Sequence, residues 1–219
     1  MAMPDAPQSG SAVATAIAIV LVASLGACAA PGVPGGEPAA APPPAEAAGA
    51  QSIALTNPGF ESDRPGVGDN PEGWAPHQHA GPTAYSFTLD RSTKHSGETS
   101  MRIRNLRPEV YGSITQSIPA APYHGKTLRF SVWLRTDGVV ANAYGKGATP
   151  ILQAIASGSP VASASFELAA IAGTNEWMRR EVIIDIPRFA DTLEFGVMLT
   201  GTGIVWLDDA ALEAPAAPR

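Results

Sequence analysis

Once its first 50 residues are set aside, the sequence predicts an all-β protein built as an antiparallel sandwich. Three observations carry that expectation. From Ser52 onward, short segments alternate apolar and polar residues, the period of strands with one buried face. Clusters of Gly, Pro, Asn and Asp separate these segments, as turns do in β-sandwiches. No segment of this region sustains a helical period, so helix is expected only as a turn or two within loops.

The chain begins differently. An uncharged apolar run, AVATAIAIVLVASLGA over residues 12–27, closes on small residues, the form of a secretory hydrophobic region and its cleavage site. It runs into Leu25-Gly26-Ala27-Cys28, which resembles the bacterial lipobox at every position. The resemblance implies cleavage before Cys28, a diacylglyceryl group on its sulfur and an acylated new amino terminus. It also accounts for the presence of one cysteine, which could form no internal disulfide. Each buried methylene of such an anchor contributes about 0.8 kcal/mol. By analogy with Gram-negative lipoproteins, Ala29 after the cysteine implies sorting to the outer membrane of the cell envelope. The opening MAMPDAPQSGS has no Lys or Arg, so two other readings stay open. One is an uncleaved helix over residues 11–30, just long enough to span a bilayer, and the other is a buried helix.

Residues 29–50, AAPGVPGGEPAAAPPPAEAAGA, are almost entirely Ala, Pro and Gly. Without bulky apolar side chains they cannot offset the entropy of ordering, and the Pro42-Pro43-Pro44 run favours polyproline II. The expected organisation is a signal over 1–27, a lipidated cysteine and disordered tether over 28–50, a sandwich over 51–214 and a tail over 215–219. A sandwich of that length buries roughly 70% of its unfolded surface and needs no disulfide. All 14 Lys and Arg residues lie beyond residue 50, against 17 of the 20 acids, a balance near −3. That excludes the basic footprint of a nucleic-acid-binding surface.

Strands are expected at 52–56, 84–89, 99–105, 111–118, 127–136, 150–156, 163–168, 179–186, 192–200 and 203–208. In 127–136, Leu128, Phe130, Val132 and Leu134 share one face and Arg129, Ser131, Trp133 and Arg135 the other. In 192–200, Leu193, Phe195, Val197 and Leu199 oppose Thr192, Glu194, Met198 and Thr200. Met101 and Ile103 alternate with Arg102 and Arg104.

Several short segments occur in an order that resembles a known class. They are Asn57-Pro58-Gly59-Phe60-Glu61, Gly73-Trp74, His95-Ser96-Gly97-Glu98-Thr99-Ser100-Met101-Arg102-Ile103, Gly112-Ser113-Ile114-Thr115-Gln116, Gly125-Lys126-Thr127-Leu128 and Val205-Trp206-Leu207-Asp208-Asp209. The class is the galactose-binding-domain-like jelly roll of xylan- and glucan-binding carbohydrate-binding modules, and the resemblance covers about residues 51–214. It implies a jelly-roll sandwich that binds without catalysing. It also implies a structural calcium ion joining the first and last strands. The ligands carried over are the carbonyl of Gly59, the carboxylate of Glu61, the carbonyl of Lys94 and the carboxylate of Asp208; the other reading leaves both acids as plain surface carboxylates.

Catalysis is not expected. The domain has no Gly-x-Ser-x-Gly elbow, His-Glu-x-x-His pair or phosphate loop, and no two carboxylates stand out as a glycosidase pair. His77 and His79 point the same way in an extended segment, a minimal metal geometry, although two histidines in a Pro/Gly loop read better as solvated. Trp74 and Trp177, beside loop residues, read as plugs at the sandwich ends. Trp133 is different, because it alternates away from the core. An outward indole is a platform for a pyranose ring, with Arg129, Arg135 and Ser131 beside it. Tyr111, Ser113 and Thr115 are expected on a neighbouring strand, and Arg102, Arg104, Glu194 and Met198 on the same surface. The plainer reading is a solvent face of cross-strand ion pairs with an arginine over the indole. Two functions follow: a membrane-anchored polysaccharide-binding module, or an interaction domain for an envelope protein.

Overall fold

Alternation within each strand sorts the side chains into one interior and two outer faces. The computed structural model describes residues 50–62, 71–164 and 169–216. The signal, Cys28 and the tether up to residue 49 lie outside them. The strands are β1 (Gln51–Ile53), β2 (Ala75–Gln78), β3 (Tyr85–Asp90), β4 (Ser100–Asn105), β5 (Tyr111–Pro119), β6 (Thr127–Val140), β7 (Ala148–Ala156), β8 (Ser159–Ser163), β9 (Gly173–Asp185), β10 (Thr192–Thr200) and β11 (Thr202–Ala214), with a 3-10 turn at Ala121–Tyr123. The first sheet has the order β3-β4-β11-β6-β9, and β1 also pairs with β11. The second has the order β2-β5-β10-β7-β8. Every pairing is antiparallel. The fold is an antiparallel jelly-roll sandwich.

The core lies between the sheets. Leu128, Phe130, Val132 and Leu134 of β6 and Leu193, Phe195, Val197 and Leu199 of β10 are all fully buried, and Phe130 meets Phe195 across the layer at 5.4 Å. Trp74 plugs one margin, packed on Phe60 at 4.9 Å and edge-on to Phe195. Its indole N–H donates to the carbonyls of Thr56 and Asn57, so its polar atom is satisfied as burial requires. Gln116 clamps the same margin. Its carbonyl accepts the Thr56 N–H and its amide donates to the carbonyls of Thr56 and Gly73. The whole core cluster falls within residues 53–214, inside a compact unit spanning Pro44–Arg219, the condition for folding independently.

Several expected boundaries move. The strand expected at 52–56 stops at Ile53, because Asn57 and Phe60 take positive φ and turn the chain. Strand β9 starts at Gly173 rather than 179. The segment expected at 163–168 is a strand only up to Ser163, as the end of β8, and residues 165–168 lie outside the described set. Strand β11 runs on to Ala214 because Asp209, at φ 47°, forms a bulge between Asp208 and Ala211. The extra residue reverses the phase: Val205 and Leu207 face inward before it, Ala210 and Leu212 after it.

Candidate functional site

The outer face of the second sheet carries a groove. Three central strands in register form its floor, with Thr115 opposite Gly196 and Gly196 opposite Ile151. A Cβ on Gly196 would fall 2.0 Å from the Ile114 carbonyl oxygen, so close packing of β5 requires glycine there and leaves the floor bare. Around that floor stand Tyr111, Ser113 and Thr115 of β5, Glu194 and Met198 of β10, and Ile151 and Gln153 of β7, with His77 and Gln78 of edge strand β2, enclosing about 430 Å³. The Glu194 carboxylate is held in place: Gln153 Nε2 donates to one oxygen at 2.6 Å and Thr115 Oγ1 to the other at 3.5 Å. Tyr111 closes one end, where the His79 ring meets it edge-on at 5.9 Å. The lining mixes apolar surface, neutral donors and acceptors, and one carboxylate among the described residues.

Five of the residues expected on one surface, Tyr111, Ser113, Thr115, Glu194 and Met198, meet in this groove. The other six do not. Trp133, Arg129, Ser131 and Arg135 lie on β6 and Arg102 and Arg104 on β4, both strands of the first sheet. The single surface expected for all of them is thus two surfaces on opposite sides of the sandwich. Strand β5 is no neighbour of β6, because the 3-10 turn between them carries the chain from one sheet to the other.

On the first sheet's outer face arginines pair with acids, although the buried Nε atoms of Arg102 and Arg129 find no hydrogen-bond partner. Arg129 reaches Glu213 at 3.9 Å and Glu181 at 4.0 Å, Arg135 reaches Glu176 at 3.4 Å and Arg102 reaches Asp90 at 3.3 Å. Arg135 lies over Trp206, not Trp133, at 5.6 Å. The His95 ring stacks flat on Trp133 at 3.9 Å and 17°, and Trp177 meets that histidine edge-on at 5.7 Å. Trp177 is therefore half-buried on this face rather than a plug in the core. Beneath the arginines, Asp90 accepts from the Trp206 indole, the Ser92 hydroxyl and N–H, and the Thr93 N–H. Burial alone would push this carboxyl up; the Ser92 hydroxyl, the Trp206 indole and the two N–H groups outweigh it and bring it from 3.8 to about 2.

The carboxylates expected to hold calcium converge on Gly59, whose position lies 3.7 Å from Glu61 Cγ and 3.9 Å from Asp208 Oδ1, measured from an added Cβ. Asp208 is fully buried. It accepts the N–H groups of His95 and Ser96 on one oxygen and that of Asp209 on the other. Burial still raises its pKa, and the neighbouring Asp209 adds to the rise. Glu61 accepts the N–H groups of Glu98 and Thr99. The Lys94 side chain points away, toward the Arg91 carbonyl and Glu98, so only its backbone could serve. Among the described residues no three His, Cys, Asp or Glu side chains are placed to hold a metal. A cation here would need the backbone carbonyls as well.

No family model matches the chain. The uncharacterized HTH-type transcriptional regulator YbfP of Bacillus subtilis (strain 168) is 27% identical over 140 residues, 60% of this chain and 44% of that protein. The chain therefore spans less than half the length of the curated relative it matches. Among solved structures it is similar to the Stig cyclase Fisc from Fischerella sp. TAU, with 15% identity, TM-score 0.55, and 77% of this chain and 100% of that one covered. The CBM22-1-CBM22-2 tandem domain of Paenibacillus barcinonensis Xyn10C gives 13% identity and TM-score 0.52, over 80% of this chain and 49% of that one. The enzymatically active domain of bacteriophage CBA120 tailspike protein 4 gives 15% and 0.50, over 66% and 20%. Carbohydrate-binding modules are thus among the structural neighbours. Identities this low establish the fold alone, and a fold shared by a cyclase, a binding module and a tailspike does not select a function.

Proposed function

We propose that this chain is a non-catalytic, lipid-anchored binding module of the cell envelope that holds a neutral sugar chain in the groove of the second sheet. The composition of that groove carries the reading: apolar surface from Tyr111, Ile151 and Met198 surrounds Glu194, Gln153, Ser113 and Thr115. Pyranose rings present the same mixture, apolar C–H faces ringed by hydroxyls. A glycosidase needs two opposed carboxylates, and Glu194 has no such partner among the described lining residues. Retention of residues 44–219 on immobilised linear polysaccharides tests it. Binding should survive high salt, because the ligand is uncharged, and should fail in Glu194→Ala. If wild type is retained on no glycan, the groove is not a sugar site and an envelope protein becomes the partner to seek.

The calcium implied by the fold class fits the cradle at Gly59. Carboxylate and carbonyl oxygens are the donors such a hard cation takes, and among the described residues the Gly59 and Lys94 carbonyls accept no hydrogen bond. Bound there, with Glu61 and Asp208, the ion would supply the positive charge that buried Asp208 lacks. It would tie the turn after β1 to the closing strand. Calcium should raise the melting temperature of wild type and not of Asp208→Asn. An unchanged wild-type melting temperature with calcium or with chelator would exclude the site.

A further inference from the structure

A second hollow adjoins the groove beyond Tyr111. Pro108, Glu109 and Val110, which lead into β5, and Asn142 and Tyr144 of the loop between β6 and β7 line most of its 360 Å³. That loop is pinned. Asn142 Oδ1 accepts the N–H groups of Tyr144 and Gly145, and its Nδ2 donates to the Val110 carbonyl at 3.0 Å. Gly145 packs so closely on Thr200 that an added Cβ would lie 2.6 Å from its Oγ1, and Thr200 also accepts the Gly147 N–H. Thr200 is the cross-strand partner of Tyr111, so the loop rests on the row of residues that ends the groove. His79 touches a lining residue of each hollow, its ring against Tyr111 and its Nδ1 3.1 Å from Glu109 Oε1.

Despite this anchoring of its backbone, Tyr144 is left 72% exposed. A ring left in water gains little from the hydrophobic effect in the free protein. The amide of Asn142 is consumed by the loop, and Glu109 Oε1 by the Val110 N–H and His79, which leaves the Tyr144 ring and Glu109 Oε2 as the surfaces on offer.

We infer that Tyr144 and the hollow beside it form an end subsite, which takes the terminal residue of a linear neutral glycan whose middle lies over Gly196. The inference rests on the sugar-groove reading and deepens it: the ligand is a chain longer than the groove, recognised at its end. The Tyr144 ring stacks on the last sugar, and Glu109 accepts a hydroxyl.

Calorimetric titration of residues 44–219 with trimers and hexamers of β-1,4-linked xylose or glucose tests this. Wild type should bind the hexamer more tightly than the trimer. Tyr144→Ala should weaken the hexamer about five- to tenfold, the contribution expected of one aromatic contact, and leave the trimer unchanged. Tyr144→Phe, which keeps the ring, should restore hexamer binding. Equal affinities for trimer and hexamer in wild type would overturn the end subsite while sparing the groove, as would an equal loss of both in Tyr144→Ala. Failure of wild type to bind either oligomer, or any glycan of a wider panel, would remove the groove and the subsite together.

Discussion

Asp90 offers a quantitative test of how the first sheet's outer face is held together. Its carboxylate sits under Arg102 with its side chain 7% exposed, and it accepts four hydrogen bonds from Trp206, Ser92 and Thr93. Its pKa falls from 3.8 to about 2 on folding, a preference for the charged form of roughly 2.4 kcal/mol. A depressed carboxyl pKa stabilises the fold fully above the unfolded pKa and loses that contribution as pH falls through the folded one. The window is therefore pH 4 to 2, with about half of the effect remaining near pH 3. Asn at this position imitates the protonated acid. Asp90→Asn should thus cost roughly 2.4 kcal/mol at pH 7, and the difference from wild type should shrink across the same window. Denaturant unfolding of both proteins at pH 7, 4 and 3 measures it. Subtracting the variant cancels the opposite contribution of buried Asp208, whose raised pKa disfavours the fold as pH rises through it. A variant as stable as wild type at neutral pH would refute the reasoning, as would a difference that stays constant down to pH 2.

The two outer faces should separate by mutation. Trp133→Ala removes the platform under His95 and should cost about 1–2 kcal/mol in stability without changing glycan retention, whereas Tyr111→Ala should weaken retention; the reverse pattern in a pull-down would put the site on the first sheet. Gly112→Ala would place a Cβ 2.4 Å from the buried Tyr85 ring and should destabilise the sandwich by about 1–3 kcal/mol, read as a lower melting temperature. Feeding cells a fatty-acid analogue should label the wild type and not Cys28→Ser; a mature amino terminus upstream of residue 28 would defeat the lipid anchor.

How far the site was legible follows from what each residue depends on. Glu194 and Met198 alternate with Leu193, Phe195, Val197 and Leu199, so their outward direction could be read along one strand. Ile151 is different: it is apolar beside apolar Leu152, so its outward direction is hidden, and nothing near it in sequence indicates that β7 lies beside β10. Strand β2 is not legible in the sequence, because four residues including Pro76 carry no alternation. Its His77, by sequence a weak metal candidate, lines the groove.

Trp133 shows the limit most clearly. Its outward direction was correct, but the loop that lays His95 on it and the turn that sends β5 to the other sheet are not properties of its own strand. Which side chains turn inward along a strand is local information, because the period of two is set by the backbone of that strand alone. Which strands stand side by side is not local. Pairing is chosen by how distant segments pack on a shared core, and the phase can reverse within one strand, as it does at the Asp209 bulge. The groove is assembled from β2, β5, β7 and β10, four segments that meet only when the sandwich closes.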